Sequence, residues 1–298
     1  MITGTTKLLG VIGNPVEHSL SPLMHNAALT KLNLNYVYLP FPIEPKSLAK
    51  ALDGFAAIGV VGFNATIPHK QAIIPLLSEI EPIAQSVGAV NTVFRRDNKW
   101  IGTNTDIEGF IAPLKSLDRD WSQTRALVLG NGGAARAVVA GCTQLGCASV
   151  GVVGRSLQKL EEFKNSWKES SSSPLKVNLK IHQWDSLAEI IADTNLLINT
   201  TPIGMYPEIE NSPINADLFV HLPTDAIVYD LIYTPSPTKF LQYAHNNGST
   251  GQKLDAPRVV IDGLEMLVQQ GAAALKIWLQ RDVPVDVMRQ TLEQQLYR

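Results

Sequence analysis

Small residues in the middle of the chain follow a short apolar run with a spacing that can bind a nucleotide. Gly130, Gly132 and Ala135 occupy the three small-residue positions of the pattern G-x-G-x-x-G/A. In that pattern the first glycine allows a tight turn, the second lets a diphosphate approach the backbone, and the third residue lets a helix pack closely on a strand. The free N–H groups at the start of the helix then attract the diphosphate. The spacing predicts a dinucleotide site; the alternative is a tight strand-to-helix turn that binds nothing.

The residues after the next apolar run indicate which dinucleotide is bound. Sites for NAD usually carry an acidic residue about 20 residues beyond the glycine turn, where it binds the ribose hydroxyls. From Ala126 to Leu160 there is no Asp or Glu, whereas Arg155 follows the second apolar run and Lys159 lies one turn further on. A guanidinium suits the dianionic 2′-phosphate of NADP. We therefore predict NADP, the alternative being that Arg155 is a solvated loop cation.

A lysine and an aspartate in the first part of the chain could transfer a proton. Lys70 comes shortly after the apolar run Gly59–Phe63, and Pro68 predicts the start of a helix over about His69–Leu77. An ammonium in the first turn of a helix opposes the helix dipole, and such a locally unfavourable choice is typical of a functional residue, although a solvated lysine is the alternative. Asp106 is either its carboxylate partner or the cap of a helix over Ile107–Leu117.

Further polar residues in this part have two interpretations each. The hydroxyls of Ser19 and Ser21 stand where a helix begins and could bind a carboxylate, or Ser21 could only cap that helix, which runs to about Lys31. Asn91, near the start of a strand predicted within Val87–Val93, could satisfy backbone groups. We interpret His18 and His25 as polar surface groups and assign them no role.

The elements that must position these residues alternate between strands and helices. Short apolar runs separated by helical patterns predict an α/β fold with helices covering sheets. Lys164–Ser173 predicts a serine-rich loop that enters a strand over Leu175–Ile181, and Asn246–Pro257 predicts an exposed loop. Strands are predicted at Lys7–Ile12, Tyr36–Phe41, Gly59–Phe63, Ala126–Leu129, Ala148–Val153, Asn195–Asn199 and Ala226–Leu231, and a helix follows the glycine turn at Ala134–Leu145.

Length and composition narrow the class of protein. A chain of 298 residues exceeds the usual single core, so two domains are expected. With 45% hydrophobic and 17% charged residues and a net charge of -2, nothing favours a nucleic-acid partner. No run approaches the roughly 18 apolar residues of a membrane span, and the N-terminus lacks a signal sequence, so a cytoplasmic protein is predicted. Cys142 and Cys147 have no nearby His, which predicts buried, reduced thiols and no metal site.

Seven blocks, in order along nearly the whole chain, make the sequence resemble the shikimate dehydrogenase family. The blocks are Ser19-Leu20-Ser21-Pro22, Asn64-Ala65-Thr66-Ile67-Pro68-His69-Lys70, Gly88-Ala89-Val90-Asn91-Thr92, Gly102-Thr103-Asn104-Thr105-Asp106, Gly130-Asn131-Gly132-Gly133-Ala134-Ala135-Arg136, Asn199-Thr200-Thr201-Pro202-Ile203-Gly204-Met205 and Asp262-Gly263-Leu264-Glu265-Met266-Leu267-Val268. The resemblance implies a reversible, NADP-dependent reduction of 3-dehydroshikimate to shikimate in aromatic amino-acid biosynthesis. It also implies two domains with a cleft between them: an α/β substrate domain of residues 1–106 and 263–298, and a Rossmann-type doubly wound NADP domain of residues 107–262.

The resemblance also implies roles for individual residues. Lys70 and Asp106 match the family's catalytic lysine and carboxylate. Residues that match substrate-binding positions are Ser19, Ser21, Thr66, Asn91, Tyr233 and Gln270. Residues expected at the cofactor are Gly130, Asn131, Gly132, Gly133, Ala134, Ala135, Arg155, Ser156, Lys159, Thr200 and Gly263. The expected partner is the small-molecule substrate, with no metal, nucleic acid or membrane, and with a monomer or homodimer as the assembly.

Three departures and two alternatives accompany this resemblance. Gly271 replaces the usual alanine after Gln270, which inside a helix costs up to about 1 kcal/mol. Asn131 replaces a small residue within the glycine turn, which is harmless if its side chain points outward. Gly154-Arg155-Ser156 replaces the family's Asn-Arg-Thr and so loses one amide contact while keeping the arginine. One alternative is a quinate/shikimate dehydrogenase with relaxed use of NAD and NADP, against which Arg155 and the paired serines argue. The other is a non-catalytic nucleotide-binding sensor of the same fold, which would have no reason to keep Lys70 with Asp106.

Overall fold

The computed structural model describes residues 2–168, 178–248 and 257–296. The chain divides into two compact units, Met1–Gly109 with Leu267–Arg298, and Phe110–Met266. The strands in the described ranges are β1 (Lys7–Gly13), β2 (Tyr36–Pro42), β3 (Gly62–Ala65), β4 (Glu79–Ile80), β5 (Thr92–Arg96), β6 (Lys99–Thr103), β7 (Arg125–Leu129), β8 (Ser149–Gly154), β9 (Leu179–Gln183), β10 (Leu196–Asn199), β11 (Ile227–Asp230) and β12 (Val260–Ile261). The α-helices there are α1 (Ser21–Lys31), α2 (Leu48–Ala57), α3 (His69–Ala72), α4 (Pro82–Val87), α5 (Asp106–Lys115), α6 (Gly133–Gln144), α7 (Leu157–Lys168), α8 (Leu187–Ile190), α9 (Lys239–His245), α10 (Leu264–Leu279) and α11 (Val285–Leu296).

The first unit contains a six-stranded mixed sheet in the order β2-β1-β3-β5-β6-β4. β1 runs parallel to β2 and β3, whereas β5 runs antiparallel to both β3 and β6. Asn64 near the end of β3 pairs with Thr92 at the start of β5, which pairs with Thr103 at the end of β6. This register brings three segments to one edge of the sheet: the chain leaving β3, the chain entering β5 and the chain leaving β6.

The second unit contains a six-stranded sheet in the order β12-β11-β10-β7-β8-β9, in which all neighbouring strands are parallel. Numbered from β7, this is the doubly wound order of dinucleotide-binding folds, 6-5-4-1-2-3. The strand order reverses between β7 and β10, and ligands of such sheets bind beyond the carboxyl ends of the strands at that position. The expected mixed α/β architecture with a Rossmann-type second half is confirmed.

Five local predictions were wrong or fall partly outside the described residues. The helix expected over His69–Leu77 is the single turn α3, because Pro75 lacks the N–H that would continue it, and a 3-10 turn follows at Ile74–Leu76. The strand expected within Val87–Val93 starts only at Thr92, since α4 ends at Gly88 with a φ of 67°. The described part of the serine-rich loop, residues 164–168, is helical and belongs to α7. Residues 169–177, with the start of the predicted strand there, and residues 249–256 of the predicted exposed loop lie outside the described residues.

His25 is buried, contrary to the expectation of a surface group. Its side chain in α1 has no exposed surface and stacks on Tyr38 of β2, with the ring centroids 4.1 Å apart. Neither ring nitrogen has a hydrogen-bond partner among the described residues. Burial lowers the pKa of the imidazole from 6.5 to about 3, so the native state keeps it neutral.

Acidification is expected to lower the free energy of unfolding through His25. The unfolded chain takes up a proton at this histidine below its ordinary pKa of 6.5, whereas the native state does so only near its pKa of about 3. The contribution of His25 to the free energy of unfolding is therefore complete above pH 6.5. As the pH falls from 6.5 to about 3, this contribution decreases by up to about 1.4 kcal/mol per pH unit. Urea unfolding at a series of pH values in this range measures the slope.

His25→Phe, which keeps the stacked ring and removes both nitrogens, should reduce that slope. Phe41→Leu changes a half-buried ring on β2 and no titratable group, and it should leave the slope unchanged. Equal slopes in the wild type and His25→Phe would contradict the assignment to His25.

Candidate active site

Lys70 and Asp106 form an ion pair at the edge of the first sheet. Lys70 Nζ donates to Asp106 Oδ2 over 2.5 Å, and the two side chains are 18% and 7% exposed. The Asp106 N–H at the start of α5 donates to Asn104 Oδ1 at 3.0 Å. Asp106 is therefore the partner of the lysine, and the neighbouring asparagine serves the helix start.

Asn91 holds the Asp106 carboxylate from the other side. Its Nδ2 donates to Asp106 Oδ1 at 2.8 Å and to Thr105 Oγ1 at 3.0 Å, while its Oδ1 accepts from the Thr105 N–H at 2.8 Å. Gln270 on α10 lies next to it, with Oε1 at 3.4 Å from Asn91 Nδ2. Asn91 thus does more than satisfy the backbone, because it connects the segments that enter β5 and leave β6.

Two buried residues that the sequence analysis assigned no role extend this cluster. Asn64 on β3 donates to Thr92 Oγ1 at 3.0 Å and accepts from the Tyr38 hydroxyl at 2.7 Å. Tyr38 also hydrogen-bonds Ser21; burial raises the pKa of its phenol, and the bond to Ser21 opposes that shift. A polar residue inside an apolar strand next to Lys70 was the available signal for Asn64. For Tyr38 the sequence offered none.

The two serines and Thr66 stand near the ends of β1 and β3. Ser21 is buried as the first residue of α1, and the residue before it supplies no side-chain cap, so the capping interpretation of Ser21 is wrong. Ser19 Oγ accepts from the Ser21 N–H at 3.3 Å. Thr66 is half-buried and its Cγ2 methyl packs against Gly13. Hydrogen bonds thus link Ser21 through Tyr38 and Asn64 to the residues around Asp106.

Tyr233 and Gly263 belong to the second unit. Tyr233 is half-buried in the segment that follows β11. The Gly263 N–H donates to Ile232 O at 3.0 Å, and a side chain at residue 263 would start 2.1 Å from Leu231 O. Close backbone packing within this unit therefore requires a glycine at residue 263, whether or not this residue has a role at the cofactor.

Asp230, at the end of β11, is a buried acid that the sequence analysis missed. It accepts from Asn199 Nδ2 at 3.0 Å and from Thr238 Oγ1 at 2.6 Å, which ties the ends of β10 and β11 to the start of α9. Burial raises the pKa of Asp230 to about 6, although the hydrogen bonds from Thr238 and Asn199 act to lower it. An acidic residue that ends an otherwise apolar strand was the signal available for it.

The glycine turn connects β7 to α6 at the position where the strand order of the second sheet reverses. Gly130 has a φ of 103°, and a side chain there would start 2.9 Å from Thr200 Oγ1. The turn itself therefore requires Gly130. Thr200, at the end of β10, donates through Oγ1 to Leu129 O at 2.7 Å. Predicted cofactor residues from two strands thus meet here.

Gly132 differs from Gly130 because nothing in the described part of the protein requires it. Its φ of -85° suits any residue, and no atom there lies within 4 Å of the position that a side chain would take. Gly132 is the residue before α6, and no side chain at this position caps the first N–H groups of the helix. Open space beside free N–H groups at a helix start is what a diphosphate needs, so this turn fits NADP.

The remaining predicted cofactor residues surround this turn. Gly133 and Ala134 are half-buried at the start of α6, and Ala135 is fully buried against the sheet. Asn131 does not point freely outward, since its Cγ lies 3.5 Å from where a side chain at Gly154 would begin. Arg155 and Lys159 are exposed beyond β8, and neither takes part in an ion pair with another described residue. Ser156 Oγ accepts from the Lys159 N–H at 3.4 Å.

The described ranges contain neither a metal-binding cluster nor a membrane-spanning helix. None of the His, Cys, Asp and Glu side chains in these ranges form a group of three that could hold a metal ion. Among the helices described above, none is long and apolar enough to cross a membrane.

Known proteins resemble this chain over almost its whole length. Residues 11–93 match the family described as "Shikimate dehydrogenase substrate binding domain", and residues 263–293 match "Shikimate 5'-dehydrogenase C-terminal domain". A protein of Nostoc sp. (strain PCC 7120), named shikimate dehydrogenase (NADP(+)), is 65% identical over 294 residues, which cover 98% of each chain.

Solved structures give the same result. The shikimate dehydrogenase of Aquifex aeolicus superposes with a TM-score of 0.84 at 38% identity, covering 98% of this chain and 99% of that one. The shikimate 5-dehydrogenase of Thermus thermophilus, in complex with NADP(H) and shikimate, superposes with a TM-score of 0.82 at 31% identity. The match covers 97% of this chain and 99% of that one.

Proposed function

The chain belongs to the shikimate dehydrogenase family, and on that premise we propose that Lys70 is the proton donor in a reduction of 3-dehydroshikimate to shikimate. The protein is an NADP-dependent oxidoreductase of the shikimate pathway. The observation that carries the proposal is the Lys70–Asp106 pair, held by Asn91 and left partly exposed.

Lys70 can stabilise the negative charge that develops on a ketone oxygen during reduction. NADPH, when bound, supplies the hydride. Reduction leaves negative charge on the carbonyl oxygen, and a group that donates a proton there lowers the barrier. An ammonium has three N–H donors, of which the bond to Asp106 uses one. The 18% exposure of the Lys70 side chain leaves the others able to reach a bound substrate.

Asp106 orients the lysine and has acceptor capacity to spare. Lys70 bonds one carboxylate oxygen and Asn91 the other, and each of these oxygens has a second lone pair. We propose that Asp106 accepts a hydrogen bond from a substrate hydroxyl next to the reacting carbon. The buried setting keeps both side chains in one orientation, which favours transfer in a fixed geometry.

The remaining substrate residues are proposed from the family pattern together with their positions. Ser19, Ser21 and Thr66 would hold the substrate carboxylate, and the hydrogen-bonded connection from Ser21 to Asn64 supports a shared site with Lys70. Gln270 and Asn91, in contact with each other, would bind hydroxyls. For Tyr233 the family pattern is the only support.

Residues of the second unit would bind NADP. We propose that the N–H groups around Gly132 hold the diphosphate and that Arg155, with Ser156 and Lys159, holds the 2′-phosphate. The open space at Gly132 and the exposed guanidinium of Arg155 support this assignment. We further propose residues 1–106 with 263–298 as the substrate domain and 107–262 as the NADP domain, and a cytoplasmic monomer or homodimer.

Purified protein is expected to reduce NADP+ with shikimate, and to prefer NADP+ to NAD+ because of Arg155. Arg155→Ala should lower kcat/KM for NADP+ by about tenfold or more, since a charge-assisted hydrogen bond contributes about 1.5–3 kcal/mol. The kcat/KM of the same variant for NAD+ should stay close to that of the wild type. Steady-state kinetics with both nucleotides, and with shikimate against quinate, measure these preferences.

Arg125→Ala is the matched control, because this exposed arginine stands at the opposite end of the same sheet, at the start of β7. It should change neither nucleotide preference. An equal loss with NAD+ and NADP+ in Arg155→Ala would argue against a 2′-phosphate contact, and no turnover of shikimate by the wild type would overturn the proposed function.

A further inference from the structure

The two cysteines of the chain lie on either side of the C-terminal end of α6. Gly146 follows this helix with a φ of 83°, the Gly146 N–H donates to Thr143 O, and the Cys147 N–H donates to Cys142 O, both at 3.0 Å. A left-handed glycine with these two bonds is a Schellman motif, in which the side chains before and after the helix end come into contact. The helix end therefore brings Cys142 and Cys147 together.

The two thiols differ in access and in the electrostatic environment of the sulfur. Cys142 is fully buried and Cys147 is half-buried. The hydrogen bond from Cys142 and the positive charge of Arg119 lower the pKa of the Cys147 thiol, whereas the bond to Cys147 and burial raise that of Cys142. Because the thiolate is the reactive form, Cys147 is the sulfur that an oxidant in solution meets first.

We propose that Cys142 and Cys147 form a reversible redox site that closes an intramolecular disulfide when the protein meets a peroxide. The Cys147 thiolate attacks one oxygen of hydrogen peroxide, the O–O bond breaks, hydroxide leaves, and Cys147 becomes a sulfenic acid. The Cys142 sulfur then attacks the Cys147 sulfur, the S–O bond breaks, and water leaves with the Cys142 proton. Two thiols and one peroxide thus give one disulfide and two waters, and a dithiol reductant reverses the bond.

The experiment treats the folded full-length protein with hydrogen peroxide and then maps its tryptic peptides under non-reducing conditions. No Lys or Arg lies between Arg136 and Arg155, so one peptide, Ala137–Arg155, carries both cysteines. We expect this peptide to lose the mass of two hydrogens, both thiols to become unreactive in the denatured protein, and dithiothreitol to restore them. A disulfide between two chains, or an over-oxidised Cys147 beside an intact Cys142 thiol, would overturn the proposal.

Two single variants separate the roles of the sulfurs. Cys142→Ser should stop at the sulfenic acid of Cys147, which dimedone labels, whereas Cys147→Ser should leave the buried Cys142 unreactive. Equal reactivity of the two variants would contradict the order of the steps. The wild-type peptide map needs no variant, so the test holds even where a serine variant fails to fold.

Discussion

Lys70→Ala is expected to lower the turnover of shikimate by about 10²-fold or more, which is the contribution typical of a positioned proton-transfer group. The variant keeps the serines, Thr66 and Gln270, so KM for shikimate should change much less than kcat. A lower kcat at similar KM identifies an interaction made in the transition state. Steady-state kinetics in both directions of the reaction measure the effect.

Lys46→Ala is the matched control for this variant. It removes the same side chain from the same unit, at an exposed position where Lys46 pairs with Glu44. A thermal unfolding scan of each variant separates catalysis from folding, because Lys70→Ala leaves the Asp106 carboxylate without its cation. Turnover within about tenfold of the wild type in folded Lys70→Ala would remove the lysine from the role of proton donor.

Gly132→Ala is expected to raise KM for NADP+ by about tenfold or more, equivalent to a loss of about 1.4 kcal/mol. Its backbone conformation accepts alanine, and no atom of the described residues lies within 4 Å of the added methyl group. The added methyl group should therefore hinder only the approaching diphosphate. The free energy of unfolding of the ligand-free protein should change by less than about 1 kcal/mol. Kinetics with varied NADP+ and unfolding of the ligand-free protein test both parts.

Two other glycines provide the comparison for Gly132. Gly130→Ala should also destabilise the ligand-free protein, because its φ of 103° and the contact with Thr200 leave no room for a side chain. Gly54→Ala, in open space on α2 of the first unit, should leave KM unchanged. An unchanged KM in Gly132→Ala would mean that no diphosphate approaches this residue.

Local patterns accounted for most of the second unit. The glycine spacing and the short apolar strands are properties of neighbouring residues, and they predicted an α/β unit with a dinucleotide-binding turn. The family resemblance implied the Rossmann-type sheet that the structure contains. The family resemblance added the shikimate dehydrogenase chemistry. These features need no knowledge of which distant segments meet, because tight turns and strand-to-helix units are encoded over a few residues.

The tertiary structure decided what depends on residues far apart in the sequence. Lys70 and Asp106 are 36 positions apart, and they meet only because β5 runs antiparallel between β3 and β6 in one particular register. Burial of His25, the extension of the cluster through Tyr38 and the pairing of Asp230 with Asn199 likewise depend on that packing. Strand register is set by burial of whole sheet faces and not by local propensity, so the sequence determined the parts of the site and the fold determined their contacts.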